Sequence, residues 1–597
     1  MTSLCLSSFE QSGALSAIDV ELARTLGRAS GETDEAVLLA AALASRAVQT
    51  GHVCVDLTRL TLGRVDAGSP EAAPLTLPPV GAWVEKLRRS ALVRRDHERA
   101  ASRPLVLDSE GRLYLARYFD HERSVAERLA DLAKATPTGQ VPTSEQLDRL
   151  FGAAGSAGEQ RQAAALASQR ALSIIVGGPG TGKTSTVVKL LALMIEAALD
   201  LGLSPPRILL LAPTGKAAQR LSEATSGACS RLATSDSVRA AIPQKATTIH
   251  RALGSIDGTT TRFRHHAQHP LDCDIVLVDE ASMVDLSLMR RLLDALPRNA
   301  RLILLGDPDQ LASVEAGGVL GDVCAAAERG DGLGQAVTRL TRSYRYPEGS
   351  GIAALAAAIR AERPEDVLAV LRRGLADAQL QPPLKGGPVG PGFARLCQRH
   401  YRGLRARPLE AKLAALSAFR VLCAHRRGPA GVELLNPALA KIVHGPIAQG
   451  RTHYPGRPIM VTRNDYGCSL FNGDVAVLHA AGRDLRVYAY FADDTQQPRE
   501  VAVGRLPDHE SVYAMTIHKS QGSEFDHVAI VLPEGSSHLL SRELLYTAVT
   551  RARRSVSLFA SPATLTAATT SRIVRSSGLT DRLTSAIRHS PQHALDT

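Results

Sequence analysis

The feature that most constrains the fold is residues 174–188, IIVGGPGTGKTSTVV. An apolar, β-branched run leads into a GxxxxGK[ST] pattern from Gly177 to Thr184, and residues suited to a helix follow. This order of strand, glycine loop and helix is typical of a P-loop. Its glycines let backbone N–H groups point at phosphate oxygens, and the helix N-terminus adds positive potential. We therefore expect an α/β fold that binds a nucleoside triphosphate.

Further apolar runs extend this prediction to two α/β domains. They do not alternate with polar residues, which indicates strands buried on both faces of a parallel sheet. The carboxyl ends of such strands form the edge where ligands bind. The first set is ALSIIVG, RILLLAP, CDIVLVDE and ARLILLGD, and the second is FRVLCAH, HVAIVLP and VSLFAS.

Other parts of the chain have different sequence patterns. RPIMVTRN, DVAVLHA and DLRVYAYF are short runs joined by tight turns such as FNGD, which predicts a small β-barrel inserted in the second α/β domain. The N-terminal region is rich in Ala and Leu, and EAVLLAAALASRAV predicts an amphipathic helix there. Pro/Gly/Ser-rich stretches at 65–82, 135–160 and 381–396 predict loops or linkers.

Length and composition exclude several classes. A chain of 597 residues is too long for one core and should divide into several domains. No apolar run is long enough to cross a bilayer, and the N-terminus has no signal-peptide pattern. The eight cysteines are scattered without a CxxC pair, which argues against zinc and disulfides and predicts a cytoplasmic protein. The net charge of +11 favours a polyanionic partner.

The P-loop predicts roles for its own residues. We expect Lys183 to reach the β- and γ-phosphates of ATP, and Thr184 to place its hydroxyl on Mg²⁺. The predicted phosphate-binding set is Gly177, Gly178, Pro179, Gly180, Thr181, Gly182, Lys183, Thr184 and Ser185.

Other candidates for ATP hydrolysis follow later strands. In VLVDEAS, Asp279 is suited to hold Mg²⁺, and Glu280 to act as a base toward the attacking water. Gln310 in LLGDPDQL is placed to sense the γ-phosphate, although the Asp-Pro turn there is also a plain structural turn. Arg345 in LTRSYRY and Arg551 in YTAVTRARR are candidate arginine fingers; either one alone is better explained as a surface salt-bridge residue, so the prediction depends on the other motifs around them.

Together these segments form an ordered set that resembles the superfamily 1 helicases. It comprises GGPGTGKT, LAPTGKAAQRL, ATTIHRALG, VDEASMVD, LGDPDQL, LTRSYR, TIHKSQGSEFD and YTAVTRAR. GHVCVDL, RPLVLDSEGRLYLARY and PIMVTRNDYGCSLFNGD narrow the resemblance to the RecD subunits of RecBCD, or exodeoxyribonuclease V. The resemblance implies two RecA-like domains, an SH3-like β-barrel and a helical N-terminal domain. It also implies an ATP-dependent 5′→3′ DNA helicase that joins RecB and RecC subunits at DNA ends.

The resemblance also assigns residues. Gln160 matches the glutamine that reads adenine. Thr214, Thr248 and His250 match positions that contact single-stranded DNA, as do Thr516 and His518. Each threonine taken alone is better explained as a helix N-cap or a strand hydroxyl. The segment 254–272 resembles the hairpin that separates DNA strands, with a plain surface loop as the alternative.

The resulting domain prediction has three parts. Residues 1–120 form a partner-binding domain, 121–340 the first RecA-like domain, and 341–597 the second, with the β insertion at about 450–507. The alternatives are a stand-alone helicase of the same branch, a scaffold without catalysis, and a nuclease. The intact site residues argue against a scaffold, and no suitable carboxylate cluster supports a nuclease.

Overall fold

The computed structural model describes twelve ranges of the chain. They are 6–60, 76–98, 103–136, 141–152, 158–256, 262–330, 332–384, 389–465, 467–481, 486–492, 498–535 and 539–589. No helix within these ranges combines the length and apolarity needed to cross a membrane.

The N-terminal domain combines helices with a small sheet. Its elements are α1 (Leu6–Gln11), α2 (Ala17–Ser30), α3 (Glu35–Gln49), β1 (Val55–Asp56), α4 (Val80–Arg89), β2 (Val93–Arg95), β3 (Leu105–Leu107), β4 (Arg112–Leu115) and α5 (Ala116–Lys134). The sheet has the order β1-β4-β3-β2 and packs on α3, whose Ala/Leu face is buried. The sequence predicted only helices here, because strands of two to four residues are too short to show a period of two.

The first α/β domain contains a parallel sheet of six strands in the order β10-β5-β9-β8-β6-β7. All four strands predicted from apolar runs are present and buried. The elements are α6 (Ser144–Phe151), α7 (Gly158–Ser168), β5 (Leu172–Gly177), α8 (Lys183–Asp200), β6 (Ile208–Ala212), α9 (Gly215–Cys229), α10 (Asp236–Ala241), β7 (Thr247–Thr248), α11 (Ile249–Leu253), β8 (Ile275–Val278), α12 (Leu286–Ala295), β9 (Arg301–Gly306), α13 (Val319–Glu328) and β10 (Val337–Leu340).

The second α/β domain has a parallel sheet of five strands, β11-β20-β19-β12-β18. After residue 340 the elements are α14 (Gly351–Arg360), α15 (Pro364–Arg372), β11 (Ala378–Gln381), α16 (Pro391–Tyr401), α17 (Leu409–Ala418), β12 (Phe419–Cys423), α18 (Val432–His444), β13 (Pro458–Val461), β14 (Val475–Ala481), β15 (Arg486–Phe491), β16 (Arg499–Ala502), β17 (His509–Ser511), β18 (Ala514–Thr516), β19 (Phe525–Val531), α19 (Arg542–Val549), β20 (Ala552–Phe559), α20 (Pro562–Thr570) and α21 (Leu579–His589).

The inserted sheet lies between α18 and β18. Its five antiparallel strands have the order β16-β15-β14-β13-β17. The three strands predicted from the sequence are therefore confirmed. Closure into an SH3-like barrel is not confirmed, because β16 and β17 lie at opposite edges of the sheet among the described residues.

The predicted hairpin at 254–272 falls partly outside the described residues. The Asp257–Gly258 turn belongs to that undescribed part. On either side, the backbone N–H of Ile256 donates to Arg262 and that of Arg264 to Gly254, over 3.0 and 2.9 Å. These antiparallel contacts agree with a hairpin, and its action on DNA stays a prediction.

The end of the chain leaves the second α/β domain. Helix α21 packs on α5 and α13, which precede it by more than two hundred residues. Arg582 donates from Nε to the fully buried Glu122 over 2.9 Å, and Asp581 pairs with Arg112 and Arg329. The C-terminal tail therefore connects the second α/β domain to the N-terminal domain and to the first α/β domain.

Candidate nucleotide and nucleic-acid site

The P-loop joins β5 to α8 at the carboxyl edge of the first sheet. Gly180 and Gly182 have φ of 79° and 80°, where a side chain is strained, and a Cβ on Gly180 would overlap the Cβ of Arg345. Lys183 donates from Nζ to the carbonyls of Gly177 and Gly178 over 2.6 and 3.1 Å. The ammonium group is thus held at the mouth of the loop.

Two segments hold the P-loop from outside. Gln160 at the start of α7 donates from Nε2 to the carbonyl of Thr181 over 2.9 Å. On the other side, the N–H of Tyr344 donates to the carbonyl of Gly180 over 2.8 Å. The structure therefore places the predicted adenine-reading residue beside the loop, and brings the LTRSYR segment onto it.

Asp279 and Glu280 follow β8 directly. Burial, and next the charge of Glu280, raise the pKa of Asp279 to about 6, while the charge of Lys183 opposes that shift. Glu280 has φ of 52°, a left-handed conformation that is uncommon outside glycine. Strained residues of this kind cluster at functional sites, which agrees with the role predicted for Glu280.

Gln310 and Arg551 meet across the two α/β domains. Arg551, which is buried, donates from Nη2 to Oε1 of Gln310 over 2.6 Å. Gln310 in turn donates from Nε2 to Asp307 over 3.0 Å. Gln310, which is predicted to sense the γ-phosphate, is therefore hydrogen-bonded to a candidate arginine finger of the other domain.

Arg345 is bonded to Glu524. Its Nη2 donates to Oε1 over 2.5 Å, and Arg220 lies 3.4 Å from the other oxygen of the same carboxylate. Although burial raises the pKa of Glu524, the charges of Arg220 and Arg345 outweigh it and hold that pKa at about 2. Sequence reasoning missed Glu524 and Arg220. Both occur in the segments TIHKSQGSEFD and LAPTGKAAQRL, but no spacing shows that they meet.

These side chains surround one cavity of about 530 Å³ between the domains. Its lining residues come from both α/β domains and include Lys183, Thr184, Ser185, Arg220, Asp279, Glu280, Gln310, Arg345, Gly522, Glu524 and Arg551. Among the residues described, no three His, Cys, Asp or Glu side chains converge as a metal cluster. Thr184 and Asp279 nevertheless fit Mg²⁺, which commonly takes one carboxylate together with phosphate oxygens and water.

A second set of contacts locks helix α19 to the loop that follows β9. Tyr546 donates its hydroxyl to Asp307 over 3.0 Å, and Thr547 accepts from the N–H of Leu311 over 2.9 Å. Gln521 donates to the carbonyl of Leu311 over 2.7 Å. Sequence reasoning missed Tyr546 and Thr547, although both lie in YTAVTRAR.

Three predicted DNA-contacting threonines also cap local structure. Thr214 accepts from the N–H of Ala217 at the start of α9, and Thr248 from that of Arg251 at the start of α11, each over 3.2 Å. Thr516 accepts from the N–H of Lys519 over 3.4 Å. These hydroxyls therefore do act as local caps, as the alternative explanation predicted. Their contact with a DNA phosphate stays a prediction.

The two predicted histidines differ in their surroundings. His250 packs on Phe263 at the base of the predicted hairpin, with ring centroids 5.9 Å apart. Burial, and next the charge of Arg575, lower the pKa of His518, which favours its neutral form. His250 thus links α11 to the hairpin segment. His518 lies near Arg575, in the segment that connects α20 to α21.

A second cavity, of about 350 Å³, lies in the second α/β domain and is rich in cationic side chains. Thr516, Lys519, Arg426, Arg451 and Arg457 are among its lining residues. Glu510 pairs with Lys519 and Arg426 over 2.9 and 3.2 Å, so part of this positive charge is compensated. Cations and hydroxyls together are suited to a phosphate backbone.

Three family models match the chain. An AAA domain covers residues 160–316, the N-terminal domain of RecBCD enzyme subunit RecD covers 11–114, and a UvrD-like helicase C-terminal domain covers 511–559. The first and third matches contain the P-loop with Glu280 and Gln310, and the TIHKSQG and YTAVTRAR segments, respectively.

Curated relatives extend over nearly the whole length. RecBCD enzyme subunit RecD of Mycolicibacterium smegmatis is 43% identical over 95% of this chain and 97% of its own. RecBCD enzyme subunit RecD of Mycobacterium tuberculosis H37Rv is also 43% identical, over 97% and 96%. The ATP-dependent RecD2 DNA helicase of Deinococcus radiodurans is 30% identical over 91% of this chain and 68% of its own. With a P-loop site of this construction and such identity from end to end, the chain belongs to the family of RecD subunits of RecBCD enzymes.

Proposed function

We propose that this chain is the 5′→3′ DNA helicase subunit of a RecBCD-type complex and uses ATP to move along single-stranded DNA. The observation that carries the proposal is the shared cavity, where Lys183 of the first α/β domain faces Arg345 and Arg551. A triphosphate bound there contacts both domains, so its hydrolysis changes the contacts between them.

Each predicted residue has a role in that cycle. Gln160 orients the adenine, and the loop from Gly177 to Ser185 holds the phosphates. Thr184 and Asp279 offer oxygens for Mg²⁺, which would supply positive charge at the β- and γ-phosphates. Glu280 orients the attacking water.

The arginines make hydrolysis depend on domain closure. Arg345 and Arg551 approach the γ-phosphate, and Gln310 transmits its presence through the Arg551 contact. Arginines acting from a second domain raise turnover by about 10³–10⁵. Glu524 holds Arg345 until nucleotide competes for it.

DNA is proposed to run over both α/β domains. Thr214, Thr248 and His250 contact it on the first, and Thr516 and His518 on the second, beside the cationic cavity. Hydroxyls and cations bind phosphates without reading sequence, which suits a translocating enzyme. Alternating grip by the two domains would then move the strand.

The domain boundaries and partners are part of the same proposal. We assign 1–120 to partner binding, 121–340 to the first motor domain and 341–597 to the second. Docking onto RecB- and RecC-type subunits is supported by the match over 11–114 and by the exposed Ile18 on α2. A cytoplasmic location is supported by the free thiols of the seven cysteines that the structure describes.

A stand-alone helicase is the second candidate, favoured by the 30% identity to RecD2. Its discriminating test is association: Ile18→Asp should weaken recovery of the three-chain complex while leaving ATP hydrolysis intact. Glu127→Lys, at an exposed position of α5 outside the proposed partner-binding residues 1–120, serves as a charge-changing control. Full activity without partner chains, with no complex recovered, would favour the stand-alone candidate.

The primary test is an unwinding assay on duplexes with a single-stranded tail at either the 5′ or the 3′ end. The proposal expects ATP-dependent unwinding from the 5′ tail and none with Lys183→Gln. Unwinding from the 3′ tail alone would show that the polarity is 3′→5′. If single-stranded DNA does not stimulate ATP hydrolysis, the proposed motor function is wrong.

A further inference from the structure

A turn of the inserted sheet reaches the first α/β domain. The side chain of Phe471 packs on Gly215, the first residue of α9, and a Cβ built on Gly215 would lie 3.5 Å from the Cβ of Phe471. The guanidinium carbon of Arg251, on α11, is 5.5 Å from the centre of the same ring. The ring therefore touches two helices of the first domain, although its backbone belongs to an insertion in the second.

This turn is held in a defined shape. The N–H of Phe471 donates to Asp474 over 2.7 Å, and the N–H of Asn472 to Asn464 over 2.8 Å. Gly473 has φ of 96° and donates to the carbonyl of Val461 over 2.9 Å. Burial raises the pKa of Asp474, and the ammonium group of Lys216 opposes that shift across the same contact.

The second α/β domain meets α9 at another place as well. A Cβ built on Gly522 would lie 3.6 Å from the Cβ of Ala217, at the nucleotide cavity. Successive helical residues are rotated by about 100°, so Gly215 and Ala217 face nearly opposite sides of α9. Thr214 caps the helix end between these two contacts.

We propose that the Phe471 turn closes the DNA path, so that a bound single strand is enclosed by the two α/β domains and the inserted sheet. This inference rests on the proposed function, because the enclosed path is the one assigned to Thr214 and Thr516. The occupant is single-stranded nucleic acid of any sequence, since the threonine hydroxyls assigned to the path and the guanidinium group of Arg251 bind phosphates without reading sequence. Enclosure makes release from the middle of a strand slow while leaving sliding free.

The geometry permits a covalent lock. The Cβ separation of 3.5 Å between Gly215 and Phe471 falls within the range found in disulfides. We would combine Gly215→Cys with Phe471→Cys in the full-length chain. Cys468 is half-buried three residues before Phe471, so it is replaced by Ser, as is Cys5, to prevent other pairings.

Circular and linear single-stranded DNA then distinguish enclosure from surface binding. If the protein is oxidised first, binding to circular DNA should fall at least about tenfold relative to the reduced protein, while linear DNA still threads in. If DNA is bound first and oxidation follows, the circular complex should survive about 1 M salt, which screens phosphate contacts, and the linear complex should not.

The possible results test the enclosure and the proposed function separately. Failure of the disulfide to form on a non-reducing gel, or equal binding of circular DNA by oxidised and reduced protein, would overturn the enclosure. A reduced protein that binds neither DNA would instead refute the proposed function, and the enclosure with it. Each single cysteine variant, oxidised alone, controls for modification of the thiol.

A milder substitution gives an independent check. Phe471→Ala should speed dissociation from long single-stranded DNA about five- to tenfold. Asn472→Ala, in the same turn, should leave dissociation unchanged. Identical dissociation rates for the two variants would contradict the role of the ring.

Discussion

The hydroxyl of Tyr546 donates to the carboxylate of Asp307 over 3.0 Å, joining α19 of the second α/β domain to the loop after β9 of the first. The same hydroxyl lies 3.0 Å from the point where a Cβ on Gly178 would stand. Burial, and next the charge of Asp307, raise the pKa of Tyr546 well above its usual value, so the hydroxyl keeps its proton and remains a donor. This contact therefore joins the P-loop and the Asp307 loop to helix α19, which ends two residues before Arg551.

Tyr546→Phe should lower the kcat of DNA-stimulated ATP hydrolysis about tenfold, with KM for ATP little changed. The buried Asp307 loses a donor, which costs about 1–3 kcal/mol, and about 1.4 kcal/mol corresponds to a tenfold rate change. Steady-state kinetics measures both constants. Tyr114→Phe is the matched control, because its buried hydroxyl also donates to a carboxylate, that of Glu122 over 3.2 Å, in the N-terminal domain and outside both cavities. Equal losses in the two variants would assign the effect to general destabilisation.

Arg345→Ala should reduce kcat by about 10³-fold or more, while ATP still binds, because an arginine finger acts mainly in the transition state. Nucleotide affinity is followed by titration with a fluorescent ATP analogue, and turnover by phosphate release. Arg342→Ala tests a neighbouring arginine on the same segment, which lies 5.1 Å from the ring of Tyr344. Turnover of the Arg345 variant within a fewfold of the parent protein would exclude the finger role.

Lys183→Gln should abolish ATP hydrolysis and spare folding and most single-stranded DNA binding. The amide keeps much of the length of the side chain, which donates to the carbonyl of Gly177, but removes the charge proposed to face the phosphates. Lys189→Gln removes a charge from the same helix, where Lys189 lies over the ring of Phe151. We expect hydrolysis by that control to match the parent protein. Normal hydrolysis by the Lys183 variant would show that the site is wrongly assigned.

Glu524 predicts a pH dependence of stability. Its pKa is held at about 2 in the folded protein, below the ordinary value of 4.5, so its contribution is complete above pH 4.5 and is lost as pH falls toward 2. That contribution is about 3 kcal/mol by linkage. The gap in urea midpoint between the parent protein and Glu524→Gln should therefore be largest at pH 7 and shrink by pH 3. A gap that is independent of pH would contradict the ion-pair explanation.

Glu122 holds the C-terminal tail to α5. It is fully buried and accepts from Arg582, Ser577 and the N–H of Gly578 over 2.9 to 3.0 Å. Glu122→Ala should lower the apparent free energy of unfolding by about 3–5 kcal/mol, because it removes the buried carboxylate shared by three donors and leaves Arg582 only the longer contact to Asp108, 3.4 Å away. Urea denaturation measures the change. Glu127→Ala, further along α5 with a side chain 65% exposed, should change it by less than about 0.5 kcal/mol.

The P-loop and its surroundings were predictable because they depend on local rules. A buried parallel strand reads as an unbroken apolar run, and the phosphate loop needs glycine where φ is positive, as at Gly180 and Gly182. For the same reason, the strands that lead to Asp279 and Asp307 are recognisable from their residues alone. The sheet of the N-terminal domain is not, since strands as short as Val55–Asp56 carry no periodic signal.

By itself, the sequence determined the strands of the two α/β domains, the inserted strands and the residues predicted to act on phosphate, because each depends on spacings of a few residues. Only the tertiary structure decided which of these residues meet. Tyr546 with Asp307, Arg345 with Glu524, and Phe471 with Gly215 are each separated by more than 170 positions. Contacts at that separation arise from how whole sheets pack and face each other, and no local pattern of charge or hydropathy records that arrangement.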